Sequence, residues 1–191
     1  SGDAIRIVSS LSHSAGRSQP ILLWDGSASI RKAISATGGG DIYMEGNASG
    51  VHADTYSFEI SNSDIVASSG DVTLKGNRGV SINSFNSGAT YFGATTSGTA
   101  TGDITFEGNR FKSHSTSWHL GMKTSGKLTI RPLANESFTD ELLFPRSEIS
   151  LVGLSGLTVG GAGNTQTITA ATSNAISSSA IAGNVSFTGG A

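Results

Sequence analysis

Apolar and polar residues alternate over short stretches of this chain, and one such stretch returns inside a near-constant frame. The clearest copies are Gly40-Asp-Ile-Tyr-Met-Glu-Gly-Asn47, Gly70-Asp-Val-Thr-Leu-Lys-Gly-Asn77 and Gly102-Asp-Ile-Thr-Phe-Glu-Gly-Asn109. Looser copies run Gly126-Lys-Leu-Thr-Ile-Arg131, Gly156-Leu-Thr-Val-Gly160 and Gly183-Asn-Val-Ser-Phe-Thr-Gly189, so successive starts lie 30, 32, 24, 30 and 27 residues apart. Within one copy, Ile104 and Phe106 face one side of a strand while Thr105 and Glu107 face the other. Further strand-like pieces fill the intervals: Tyr56 to Ile60, Asp64 to Ala67, Val80 to Ile82, Ala89 to Phe92 and Trp118 to Met122. No helical period lies between them. Two or three short strands per 24 to 32 residues predict an all-β parallel β-helix, a solenoid of about six to seven coils covering residues 1–191 as one segment. A β-sandwich would not repeat one strand at nearly fixed spacing.

Stacking the copies sharpens the expectation. One inner column reads Ile42, Val72, Ile104, Leu128, Leu157, Val185, and a second reads Met44, Leu74, Phe106, Ile130, Val159, Phe187. An outer column of Tyr43, Thr73, Thr105, Thr129, Thr158 and Ser186 runs beside Glu45, Lys75, Glu107 and Arg131, whose charges alternate in sign. Stacked neighbours about 4.8 Å apart attract when their signs alternate. Asn47, Asn77 and Asn109 would align at a corner as a ladder of side-chain amides. Asp41, Asp71 and Asp103 also recur in register, and their reading is turn capping, each carboxylate bonding nearby amides.

Two stretches depart from the pattern. Residues 8–20 read as a polar, irregular loop ending at Pro20. Residues 133–148, between Pro132 and Glu148 and rich in acids, read as a loop that protrudes from the stack, because Pro132 and Pro145 cannot donate to a central ladder.

Composition narrows the function classes. The charged fraction is 14%, net charge is −2, and the twelve Lys and Arg are scattered, so no basic stripe suits a nucleic acid. No apolar run is long enough to be read as a membrane-spanning helix. The chain has no cysteine, which rules out disulfides, thiolate metal sites and cysteine nucleophiles. A start at Ser1-Gly2-Asp3 fits a segment excised from something longer.

At the recurring Gly-Asp-Ile/Val-x-φ-x-Gly frame, where φ is apolar, the chain resembles the large filamentous-haemagglutinin-like exoproteins that Gram-negative bacteria secrete by the two-partner route. The resemblance rests also on Gly79-Val-Ser-Ile82 and on Gly126-Lys-Leu-Thr-Ile-Arg-Pro132, and it covers about residues 35–191. It implies a right-handed β-helical rod, secreted and displayed at the bacterial cell surface for adhesion or for presenting a distal activity. It further implies an outer-membrane secretion partner and contact with a host-cell protein or glycan. End-to-end self-association into an extracellular filament is a related expectation, without nucleic acid and without membrane insertion.

Catalysis is the rival class, since β-helices also carry polysaccharide lyases and glycosidases, including those of phage tailspikes. Those enzymes need converging carboxylates. Here Glu45 and Glu107 are separated by Lys75 and are expected to pair with it, while Asp54, Glu59 and Asp64 read as surface scatter. Gly38-Gly-Gly-Asp41 is similar to one calcium nonapeptide, but such rolls need copies every nine residues. His13, His52, His114 and His119 show no paired metal-ligand spacing. No enzyme activity, cofactor or metal is therefore expected. Asn47, Asn135 and Asn184 stand in Asn-x-Ser sequons and are candidate glycosylation acceptors. Candidate contact residues are Tyr43 and Phe92, read as outward aromatics, with Glu136, Asp140, Glu141 and Arg146 on the second departing stretch.

Overall fold

The computed structural model describes residues 3–14, 18–24, 32–84, 88–95, 97–115, 120–144, 149–151, 153–169 and 181–190. Within them the strands come in triplets: β1 (Asp3–Ser14), β2 (Ile21–Trp24), β3 (Lys32–Ala36), then β4 (Asp41–Val51), β5 (Phe58–Ser61), β6 (Ser63–Ala67). Next are β7 (Val72–Gly76), β8 (Val80–Ser84), β9 (Thr90–Gly93) and β10 (Ile104–Glu107), β11 (Phe111–Ser115), β12 (Leu120–Met122). The series ends with β13 (Lys127–Arg131), β14 (Leu142–Leu143), β15 (Ile149–Leu151), and β16 (Gly156–Gly160), β17 (Ile168–Thr169), β18 (Val185–Thr188). No helix occurs among the described residues, and so none that could cross a membrane.

The first member of each triplet, joined by β18, builds a seven-stranded sheet in the order β1-β4-β7-β10-β13-β16-β18. The second members form β11-β8-β5-β2 and the third members β15-β12-β9-β6-β3, while β14 and β17 pair separately. All the named pairings are parallel. The chain therefore visits the sheets in a fixed order and returns to the first one strand further along, an arrangement of stacked sheets compatible with a solenoid.

The predicted columns of the first sheet are all found. Ile42 pairs with Val72, Val72 with Ile104, Ile104 with Leu128, Leu128 with Leu157 and Leu157 with Val185. Met44, Leu74, Phe106, Ile130, Val159 and Phe187 follow the same register. From Ile42 to Val159 these side chains are at most 1% exposed, whereas Val185 and Phe187 on the last strand of the sheet are 43% and 40% exposed. Burial of each large apolar side chain contributes roughly 1.5–3 kcal/mol, so the columns dominate the stabilising side of the balance. Phe92, Phe106, Phe111 and Phe144 run as a chain of ring contacts, with centroids 5.0, 5.3 and 5.8 Å apart. That chain ties the third, first and second sheets into one core.

The frame's first glycine is demanded by how closely the strands approach. A Cβ on Gly102 would lie 2.0 Å from the carbonyl oxygen of Gly70, and one on Gly70 would lie 2.2 Å from that of Gly40. The aspartates beside these glycines do cap, and they do it between strands. The Asp71 N–H donates to Asp41 Oδ1 at 2.9 Å, the Asp103 N–H to Asp71 Oδ1 at 2.7 Å and the Lys127 N–H to Asp103 Oδ1 at 2.8 Å.

Four expectations need correction. Residues 8–20 are not an irregular loop throughout, because β1 runs to Ser14 and pairs with β4 residue for residue from Ile5. Gly2-Asp3 is another copy of the frame, hidden by one extra residue, Ala4, where the register shifts. Residues 133–148 do not simply protrude: Phe138, Leu142 and Phe144 are buried and β14 pairs with β17, while residues 145–148 lie outside the described residues. A proline removes only its own N–H, and the alternation of Leu142, Leu143 and Phe144 suits a short strand. The asparagines do not form an amide ladder. Asn77 bonds both backbone groups of Ala48 at 2.9 Å, and Asn109 Oδ1 accepts from the Leu133 N–H at 3.2 Å, so each caps the backbone of a neighbouring repeat. Asp64 is not surface scatter but 4% exposed.

Candidate functional site

The alternating charges of the first sheet stand in the predicted register: Glu45 beside Lys75, Lys75 beside Glu107, Glu107 beside Arg131. Arg131 reaches Glu107 at 2.8 Å. Glu45, however, turns to its own strand and accepts from the Tyr43 hydroxyl at 2.8 Å and from Asn47 Nδ2 at 3.2 Å. The Tyr43 bond, then Asn47, holds the Glu45 carboxyl below its ordinary range. Tyr43 is half-buried, with the Arg6 guanidinium 4.4 Å above its ring, and burial together with Glu45 pushes its hydroxyl up to about 12. This face is a run of partnered groups.

The expected contact residues scatter. Phe92 does not face outward: it is fully buried and packs edge-on against Phe106. In β9 the inward positions are Thr90 and Phe92, so the expectation was one residue out of phase, and Tyr91 is the residue on the opposite side, against Gly121. Glu136, Asp140 and Glu141 are exposed, each tied to a neighbouring segment: Glu136 by Asn109, Asp140 by Arg110 Nε at 3.2 Å, Glu141 by the Thr169 hydroxyl at 2.5 Å. Arg146, Trp118 and His119 lie outside the described residues. Asn135 and Asn184 are exposed, whereas Asn47 is half-buried within β4.

The concave surface lies elsewhere, where the second sheet breaks between β11 and β14. A cleft of about 180 Å³ opens there, floored by Phe111, Phe138 and Leu142 and rimmed by Tyr56, Arg110 and Asp140. It adjoins a polar recess of about 300 Å³ that reaches Gln19, Glu59 and Asn83 and shares Tyr56, Arg110 and Lys112 with the cleft. Arg110 organises the junction. Its guanidinium lies 4.4 Å from the Tyr56 ring centroid, its Nε donates to Asp140 and its Nη1 donates to the Ala53 carbonyl at 3.0 Å. Arg78, one repeat earlier, does the same to the His52 carbonyl at 3.2 Å, so two arginines clamp the connection between β4 and β5. Burial raises the Tyr56 hydroxyl above its usual range against the opposing pull of Arg110. Ser113 also lines the cleft, is 2% exposed, and its hydroxyl has no hydrogen-bond partner.

Sequence reasoning missed Tyr56, Arg110, Lys112 and Ser113 as a group. One signal was present: Gly76-Asn-Arg78 and Gly108-Asn-Arg110 place the two clamping arginines 32 residues apart, the step between their frames. Among the described residues no three His, Asp or Glu side chains gather closely enough to hold a metal ion. Compared with protein-family models, curated proteins and solved structures, the chain matches none.

Proposed function

We propose that the chain winds as a right-handed parallel β-helix of six to seven coils and serves as a non-enzymatic rod segment. On this reading it belongs to a secreted bacterial exoprotein, displayed at the cell surface, that mediates attachment or presents a distal activity. The observation that carries it is the use made of the recurring charged residues. Asp41, Asp71 and Asp103 accept backbone amides of the next strand, and Glu107 holds Arg131. Charges in register thus join repeat to repeat, as a stiff shaft requires. Secretion through an outer-membrane partner and attachment to a host glycan or protein rest on the resemblance to filamentous-haemagglutinin-like exoproteins.

A carbohydrate-active enzyme is the second reading, favoured by the carboxylates of Asp140 and Glu141 at the cleft. Against it, Asp140 is paired with Arg110 and Glu141 accepts from Thr169, whereas a general acid must present a proton to its substrate. Incubating the purified chain with a panel of polysaccharides separates the two. The rod reading expects every polymer to be recovered at its original length, and the appearance of shortened or unsaturated oligosaccharides would sink it.

A further inference from the structure

We propose that the cleft between β11 and β14, with the recess adjoining it, binds a neutral oligosaccharide, one sugar ring seated in the cleft and the chain continuing along the recess. The inference rests on the non-enzymatic contact role above and names where contact is made.

Size comes first. The cleft, at about 180 Å³, is smaller than the ~300–1,000 Å³ of a site for a drug-sized molecule. At ~30 Å³ per water it holds the equivalent of about six, which suits one hydroxylated ring. The recess of about 300 Å³ is continuous with it through Tyr56, Arg110 and Lys112, so a short chain fits and a compact globular ligand does not.

Charge selects the class. Across the two hollows four carboxylates, Asp54, Glu59, Asp140 and Glu141, face two cations, Arg110 and Lys112. The acidic surplus repels sulfated or uronic chains, while Arg110 and Lys112 at the junction repel a basic peptide. A neutral ligand rich in O–H donors meets both conditions, because carboxylates and the Asn83 and Gln19 amides accept from hydroxyls.

The floor then supplies affinity. Phe111, Phe138 and Leu142 present apolar surface to the C–H face of a ring, and the Tyr56 ring stands at the rim. Among them sits the buried Ser113 hydroxyl, with no partner of its own. Leaving such a group unpaired is costly, and a ligand hydroxyl in the cleft satisfies it. In the register of the second sheet its equivalents are Leu23, Ile60 and Ile82, so a hydroxyl here breaks an apolar column at the one place where the sheet opens.

The test is a glycan array carrying neutral and acidic glycans, followed by calorimetry of the neutral binders on the intact chain. Neutral oligosaccharides are expected to bind, and Ser113→Ala is expected to weaken them about fivefold, the worth of one hydrogen bond, without lowering the melting temperature. Leu143→Arg, at an exposed residue beside the cleft, keeps the fold and blocks entry, and about tenfold or greater loss is expected there. Val8→Ser on the first sheet is expected to change nothing. Absence of glycan binding, binding of acidic glycans or tetralysine instead, or binding untouched by both cleft variants overturns the proposal. Cleavage of a bound oligosaccharide contradicts the rod reading and leaves the cleft assignment standing, whereas lack of binding removes the cleft and leaves the rod.

Discussion

The first sheet runs through seven strands without interruption, while the second stops after β11 and resumes as the separate pair β14 and β17. Both line the same core, and both are built from the same chain visiting them in turn. They differ in what precedes each strand. Every strand of the first sheet from β4 to β16 follows a glycine or an aspartate of the frame, and inner apolar positions recur at fixed offsets. Strands of the second sheet follow connections that range from three residues, 77–79, to ten, 132–141. A fixed frame gives register and continuity. A variable connection gives the hollow beside Tyr56 and Arg110, the bend at which the sheet opens. Stability and contact are thus divided between faces of one stack.

Substitutions can break that division if it is wrong. The largest effect is expected from Phe106→Ala, which empties the middle of the first sheet's inner column and removes two ring contacts. It should cost about 3–5 kcal/mol in urea unfolding, whereas Leu143→Ala at the cleft should change stability by less than about 0.5 kcal/mol. Equal losses would erase the distinction. A pH titration comes next. Because the folded pKa of Tyr43 is raised from 10.0 to about 12, the neutral phenol is favoured by folding. Its contribution is complete below pH 10.0 and is lost as pH rises towards about 12. Alkaline unfolding followed by tyrosinate absorbance should show this loss in the parent chain and its absence in Tyr43→Phe. Asp71→Ala, which leaves the Asp103 amide without its acceptor, should cost about 1 kcal/mol. Arg131→Ala should cost under about 1 kcal/mol and lose its effect at high salt, since the pair it breaks is exposed.

The first sheet was legible in the sequence because its inner positions are almost purely apolar and its period nearly constant. Legibility failed where either condition lapsed. Ala4 displaces the frame in β1 by one residue, and β11 places Ser113 at an inner position between Lys112 and His114, so its alternation reads as polar throughout. Phe92 was misplaced because β9 has no flanking Gly-Asp to set its phase. The cleft was invisible for a different reason. Tyr56, Arg110 and Asp140 come from three successive repeats and meet only when those repeats stack. Only the repeated Gly-Asn-Arg hinted at a shared place for two of its parts.

Stacking in this register is the claim on which all else depends, and a chain without cysteine allows it to be measured directly. Spin labels on Arg6→Cys paired in turn with Thr129→Cys, Thr158→Cys and Ser186→Cys sit on one outer column, four, five and six strands apart. At about 4.8 Å per strand, pulsed electron-spin distances should centre near ~19, ~24 and ~29 Å between attachment points, rising by one strand spacing for each frame copy. Distances that do not rise in that order, or that jump by more than a strand spacing between consecutive copies, would contradict the account.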